Sequence, residues 1–253
     1  TFPMVTVPDE ITDPQARAKY LGEHFWDNVD FATASEALVE QGLIDMASIF
    51  PLLNSETLIS SMTALVKKAE TSKAGLLMML SLADKYLYGT ASPLYNETAY
   101  RGLLQSALIS KALNKADKEP YQKQLVILEM NNEGSAAVDF DMQLVDGSKA
   151  KLSDIEAPVS ILFFYAADNL DCKLQRFRLT QARLVNYLQR AGGIKIVAVC
   201  VEGDKAAWEK FRADSPKEWL HVFDASGKIK SENLYDLRTL PRLYLLDEQK
   251  NVL

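Results

Sequence analysis

The chain has 253 residues, of which 48% are hydrophobic and 25% are charged, and its formal net charge at pH 7 is −6. This length suits two domains better than one, and the apolar content excludes a mainly disordered chain. The negative charge argues against nucleic acid or an anionic membrane surface as the main partner. We expect no basic stripe with interleaved aromatic residues. The sequence has no run of about 18 apolar residues, so we expect no membrane-spanning helix.

The first half of the chain carries apolar residues at helical spacing. Residues 1–11 contain two prolines and predict an extended arm, and Thr12-Asp13-Pro14 predicts the start of a helix that runs to about residue 27. Further helices are predicted over residues 35–47, 55–69, 73–87, 96–114 and 119–130. No β-type alternation interrupts this region, so residues 1–131 are predicted to form an all-α helical bundle.

The second half changes from helical spacing to alternation after a short polar linker at 131–135. Asp146-Gly147, flanked by alternating apolar residues, predicts a hairpin. Apolar runs at 159–165 and 194–201 predict buried parallel strands joined by one helix over 170–189. The later segments predict a helix after Asp204, an edge strand at 219–223, a short helix at 231–237 and hairpin strands at 243–246 and 252–253. Residues 136–253 are therefore predicted to form an α/β domain.

The central apolar run leads into a polar corner. Residues 161–172 read I-L-F-F-Y-A-A-D-N-L-D-C, which is typical of a buried strand that feeds a helix. Far downstream, Leu237-Arg-Thr-Leu-Pro241 precedes another apolar run. We interpret these two segments as the two sides of one candidate site.

These segments resemble the redoxin or TlpA type of thioredoxin-like protein. The run Asp139–Asp154 is similar to the opening of that family, and Phe164–Cys172 has the length of its strand-to-helix corner. The resemblance implies that Asn169 stands where the first cysteine of a Cys-x-x-Cys pair is usual, and that Cys172 occupies the second position. It implies a cis proline at Pro241. It also implies a groove for an extended peptide at Tyr165, Asn169, Leu240 and Pro241.

The N-terminal half resembles a helical domain of unknown function that precedes thioredoxin-like domains in bacterial envelope proteins, many of them lipoproteins. Phe2-Pro3 and the runs at 11–21 and 24–31 carry this similarity. It implies a periplasmic or outer-envelope location, with membrane attachment only through a lipoprotein signal that has been removed. We also expect the last helix of the thioredoxin-like fold to be missing, because the chain stops at Leu253.

The chemistry of Cys172 has three interpretations. It can be an inert core residue, a single reactive thiol at a helix start, or half of a disulfide with Cys200; we favour the first. The resemblance implies a buried acid six positions before the first cysteine, and Phe163 stands there instead. The neighbouring acids Asp168 and Asp171 would raise the pKa of a nearby thiol.

Two functions follow from these observations. The first is a thioredoxin-like envelope protein without dithiol redox activity that binds a protein or peptide, which can itself carry a thiol. The alternative is a thiol-disulfide oxidoreductase or isomerase that works through Cys172 alone. The sequence indicates no cofactor, and no His or Cys spacing typical of a metal site.

Overall fold

A computed structural model describes residues 2–253; Thr1, the first residue of the predicted arm and helical domain, lies outside the described residues. The chain separates into two compact units, with the division between Leu128 and Glu129. The helices of the first unit are α1 Pro14–His24, α2 Glu36–Ala47, α3 Ser55–Ala69, α4 Lys73–Ala83, α5 Glu97–Ile109 and α6 Lys115–Glu129. A π-helical turn, Asp84–Tyr88, extends α4.

Short polar residues begin most of these helices. In each case the side chain at the N-cap accepts a hydrogen bond from the backbone N–H three residues further on, which satisfies one of the unpaired donors of the first turn. The N-cap residues are Asp13, Ser35, Asn54, Ser72 and Asn96. The sequence signals for helix starts therefore act locally.

The core of the first unit is formed by the apolar faces of these helices. Phe2 of the N-terminal arm belongs to it, since its ring stacks on Phe25 at 4.9 Å and meets the edge of Trp26 at 5.1 Å. The arm is therefore anchored by an aromatic side chain. Leu43, Met62 and their neighbours fill the space between the helices.

The first helix ends at His24 rather than near residue 27, and two further boundaries in this unit differ from the sequence prediction by four residues or more. The last helix begins at Lys115 rather than at 119, because Asn114 and Asp117 cap it reciprocally: each side chain accepts the other's backbone N–H at 2.9 Å. Pro120 consequently lies inside the helix instead of in its first turn. The helix predicted to continue to 114 ends at Ile109.

The second unit contains a small hairpin and a four-stranded mixed sheet. Its strands are β1 Asp141–Gln143, β2 Lys149–Lys151, β3 Val159–Ala166, β4 Ile194–Glu202, β5 Leu220–Phe223 and β6 Arg242–Leu246. The sheet order is β5-β4-β3-β6, in which β3, β4 and β5 are parallel and β6 is antiparallel to β3. The helices of this unit are α7 Leu170–Gln181, α8 Arg183–Arg190, α9 Lys205–Ala213 and α10 Lys228–Ser231.

The predicted helix over 170–189 is wrong as a single element. Ala182 has an extended backbone (φ −73°, ψ 97°) and separates α7 from α8. The freed carbonyl of Thr180 accepts a hydrogen bond from the Asn186 side chain at 2.9 Å. The short helix predicted at 231–237 is also misplaced, since the structure has α10 at Lys228–Ser231.

Two buried clusters cover the two faces of the sheet. One face packs under the hairpin and includes Phe140, Phe164 and Tyr235. The other packs under α7 and α9 and includes Phe163, Tyr165 and Phe211. Alternate residues of β3 thus enter opposite cores, as the pleat of a strand requires. The predicted fold class, an all-α part followed by an α/β domain, is confirmed.

Candidate functional site

The candidate site lies at the carboxyl end of β3, where the chain turns into α7. β3 ends at Ala166, and α7 begins at Leu170. Asn169 is the N-cap of α7, and its side-chain oxygen accepts the backbone N–H of Cys172 at 3.0 Å. The amide of Asn169 therefore occupies the positive end of the helix and satisfies one of its donors.

Cys172 is buried beneath this corner with no exposed surface. Its sulfur accepts a hydrogen bond from the backbone N–H of Ala166 at 3.4 Å. Burial raises the pKa of the Cys172 thiol, and the nearby acids Asp171 and Glu202 raise it further. The hydrogen bond from Ala166 lowers this pKa by less than burial and the acids raise it. A thiol with a raised pKa is less than about 3% ionised at pH 7.

Cys200 lies on β4, in register with Tyr165 of the neighbouring strand. It is also buried, and its thiol donates a hydrogen bond to the carbonyl of Glu202 at 3.2 Å. Burial raises the pKa of Cys200 to about 11. Both cysteines are free thiols, so the structure does not support the disulfide interpretation.

The interior below the corner is aromatic. Phe163 is fully buried and lies 5.2 Å from Tyr165 and 6.2 Å from Trp219, measured between ring centroids. Tyr165 is fully buried as well, with its ring stacked on Phe211 at 4.0 Å. The side chain of Tyr165 therefore does not reach the surface at which a peptide would bind.

Two polar groups, the Tyr165 hydroxyl and the indole Nε1 of Trp208, are buried close to each other in this interior. Burial raises the pKa of Tyr165 well above the usual range, so the hydroxyl stays protonated. Among residues 2–253 no Asp or Glu is buried, so no buried carboxylate can accept a proton from the thiol.

The turn before β6 lies beside the same end of β3. The Leu240–Pro241 peptide bond is cis. Arg242 pairs with Phe164, so Pro241 and Leu240 come just beyond the last pair of the β3–β6 ladder. Leu240 is half-buried and packs against the clusters on both faces of the sheet, including the one that contains Cys172. The structure thus brings Asn169, Leu240 and Pro241 to one end of the sheet, with Cys172 beneath.

A pair of charged side chains that the sequence pattern did not predict lies just before this turn. The guanidinium of Arg238 donates to both carboxylate oxygens of Asp236, at 2.9 and 3.0 Å. Although burial opposes ionisation, these hydrogen bonds and the charge of Arg242 hold the pKa of Asp236 below 3.8. The spacing Asp-x-Arg just before Leu240-Pro241 was the available signal.

A cleft of about 620 Å³ lies elsewhere in the second unit, between the β1–β2 hairpin and the turn that follows β5. Asp141, Lys149, Asp224 and Lys228 are among its lining residues, and none of the predicted site residues is. Within residues 2–253, no group of three or more His, Cys, Asp and Glu side chains could hold a metal ion. Over the same residues, every helix is too short or too polar to cross a bilayer.

Two family models match the sequence. Residues 1–131 match a domain of unknown function, DUF5106, and residues 158–252 match a family described as thioredoxin-like. No curated protein sequence matches the chain significantly.

Solved structures give the same picture. A thioredoxin-like protein from Bacteroides caccae is 28% identical and superposes with a TM-score of 0.87, and the match covers 100% of this chain and 92% of that one. The C-terminal domain of an uncharacterized protein from Bacteroides fragilis is 33% identical with a TM-score of 0.47, over 49% of this chain and 88% of that one. The thioredoxin domain of a thiol-disulfide oxidoreductase from Bacteroides vulgatus is 19% identical with a TM-score of 0.43, over 48% and 86%. The full-length match to the Bacteroides caccae protein confirms the fold predicted from the resemblance.

Proposed function

Since this chain belongs to the DUF5106 family and carries a thioredoxin-like domain behind that region, we propose that it is a cell-envelope protein that binds a protein or peptide partner and lacks dithiol redox activity. The observation that carries the proposal is the placement of Asn169. At the N-cap of α7 an amide accepts the Cys172 N–H, at the position we assign to the first cysteine of redox-active relatives.

Dithiol exchange needs a thiolate at the exposed end of the helix and a second thiol one turn later. Here the first position holds a half-buried amide that cannot ionise, and the thiol one turn later is buried with a raised pKa. The buried side chain at position 163 is an apolar phenylalanine, whereas a carboxylate at this position could accept the proton of a reacting thiol. A monothiol enzyme working through Cys172 would need that sulfur exposed and ionised, whereas Cys172 is buried and its pKa is raised.

The binding surface we propose is the outer side of the corner and of the turn before β6. Leu240 precedes β6, so its backbone lies outside the β3–β6 ladder, and the charged pair Asp236–Arg238 stabilises the segment that leads to it. An extended peptide can pair with such a backbone segment, while half-buried apolar side chains contact its residues. Asn169, Leu240 and Pro241 are the residues we assign to this surface.

Two measurements test the proposal. Insulin reduction with dithiothreitol as electron donor should show no turnover above the Cys172→Ser variant; turnover that disappears in Cys172→Ser would refute the redox-inactive assignment. For binding, the reduced insulin B chain serves as an extended peptide, with amide shifts followed by NMR. Shifts should cluster at Asn169 and Leu240 and be lost in Leu240→Asp but kept in Leu245→Asp, an exposed position on β6.

The envelope location is part of the proposal and has its own test. Fractionation of the source bacterium should recover the protein with periplasmic or outer-membrane markers. Recovery with a cytoplasmic marker enzyme would contradict the location while leaving the binding function open to its own measurement.

A further inference from the structure

The segment that follows the corner is strongly basic, although the chain as a whole is acidic. Residues 173–195 contain no Asp or Glu, and they contain six cationic residues: Lys173, Arg176, Arg178, Arg183, Arg190 and Lys195. Apolar and aromatic residues are interleaved with them: Leu174, Phe177, Leu184 and Tyr187 are examples. The expectation that no basic stripe with interleaved aromatic residues exists is therefore wrong, because a net charge averages over surfaces of opposite sign.

The apolar residues of α7 form a stripe that faces solvent. Leu170, Leu174 and Phe177 recur at intervals of four and three residues, and they are 78%, 44% and 59% exposed. Cys172 and Leu179, on the opposite side of the same helix, are buried. Helical spacing thus gives α7 two apolar faces, of which only one is used by the core.

α8 continues this exposed surface. None of its residues is buried. Leu184 and Tyr187, one helical turn apart, are each 69% exposed. Isolated exposed apolar residues are ordinary, but five large ones within two consecutive helices are more than isolated exposure gives and point to an interaction surface.

The exposed charges carried by α7 and α8 are mostly positive, whereas Asp168, just before α7, and Asp214, beside Arg176, are acidic. Arg178, Arg183 and Arg190 are exposed. Arg176 is directed inward instead, where it donates to the carbonyl of Phe211 at 3.0 Å and lies 3.8 Å from Asp214. The one acid on the two helices is Asp171, in the first turn of α7.

We propose that the outer face of α7 and α8 binds peripherally to an anionic phospholipid surface. Leu, Phe and Tyr side chains can enter the boundary between head groups and acyl chains, while flanking arginines stay level with the phosphates. A nucleic acid would use the cations but leave the apolar stripe exposed. A protein partner would have to supply an acidic groove around a protruding helical ridge. A bilayer offers both the charge and the apolar layer without such a groove.

Flotation of the full chain with lipid vesicles tests this proposal. The protein should float with vesicles of phosphatidylcholine and phosphatidylglycerol but not with phosphatidylcholine alone, and added salt should weaken binding. The double variant Arg178→Gln/Arg183→Gln should bind about 30-fold more weakly, because each cation at an anionic surface contributes about fivefold. The matched control Lys149→Gln/Lys151→Gln removes the same charge from β2 and should bind like the wild type.

A Phe177→Trp variant reports on insertion, because the three natural tryptophans are all buried. Its emission should shift to the blue when anionic vesicles are added. Absence of vesicle binding at low salt would overturn the proposal, and so would equal weakening by both double variants. Two further results, obtained without vesicle binding, would also overturn the proposal. Self-association that is lost in Phe177→Ser would assign the exposed apolar residues to an interface with a second copy. Binding to polyglutamate would assign them to an acidic protein partner.

Discussion

The corner between β3 and α7 can be tested by giving it the thiol that we propose it lacks. The substitution Asn169→Cys places a sulfur at the N-cap of α7, one helical turn before Cys172. The new thiol would lie at the positive end of the helix, where the N–H of Cys172, now paired with Asn169 at 3.0 Å, can stabilise a thiolate.

The size of the effect follows from ionisation. In the wild type the raised pKa of Cys172 leaves less than about 3% thiolate at pH 7. Thiols at this position of Cys-x-x-Cys motifs have pKa values near about 7, which makes them about half ionised at neutral pH. We therefore expect alkylation at pH 7 at least about 15-fold faster in Asn169→Cys than at either natural cysteine. Loss of the amide cap should cost about 1 kcal/mol of unfolding free energy.

The assay is alkylation of the folded protein by iodoacetamide between pH 5 and 9, with mass spectrometry to locate the modified residue. The matched control is Gln181→Cys, at the exposed opposite end of α7, where the helix dipole disfavours a thiolate. That thiol should react only as fast as an ordinary exposed cysteine. Insulin reduction measured on the same samples shows whether the restored pair also exchanges disulfides.

Two results would refute the reasoning. If Cys172 of the wild type is alkylated at neutral pH as fast as the new thiol, burial does not suppress it. If Asn169→Cys and Gln181→Cys have the same pH profile, the N-terminal end of α7 does not activate a thiol, and the identity of residue 169 cannot explain a loss of redox activity.

Four further substitutions test the packing and the buried histidine. Phe163→Ala should lower the free energy of unfolding, measured with urea, by about 3–5 kcal/mol, because Phe163 is fully buried. Phe177→Ala, on the exposed side of α7, should change it by less than about 0.5 kcal/mol. Equal losses would contradict the assignment of Phe163 to the core and of Phe177 to the surface. Burial lowers the pKa of His221, so the unfolded state binds the proton more readily and the stability of the folded protein should fall as the pH decreases below about 6.5. The variant His221→Gln should therefore have a Tm that changes less with pH below about 6.5. If the slope of Tm against pH is unchanged in this variant, His221 is not the source of the pH dependence. Gly75→Ala should lower the free energy of unfolding by about 1–3 kcal/mol, because the added methyl group would lie 2.6 Å from the backbone oxygen of Phe31. This contact should outweigh the better helix propensity of alanine. A variant more stable than the wild type would show that the contact relaxes easily.

Much of the fold could be predicted because the signals were local. The capping signals at Asp13 and Asp204 and the apolar spacing of residues 55–69 placed helix starts and faces correctly. Gly192, with a φ of 75°, follows the end of α8, where glycine is a common signal for the end of a helix. The apolar runs of β3 and β4 identified two strands buried on both faces.

Other features required the tertiary structure. The break at Ala182 has no glycine or proline to announce it, and Pro120 suggested a helix start that the reciprocal cap at Asn114 overrides. Tyr165 was assigned to a peptide groove, but the pleat of β3 turns it into the core beside Phe211. Strand register settles such questions, and a sequence pattern alone does not.

The sequence alone determined the order of elements, the thioredoxin-like resemblance and the amide at position 169. Each of these depends on residues close together in the chain. Only the tertiary structure decided that Cys172 is buried with a raised pKa and that a second apolar face of α7 remains exposed. The physical reason is that burial and pKa depend on contacts between distant segments: here residues of β3, β4 and α9 pack against one side of α7, and the apolar residues on its other side stay exposed.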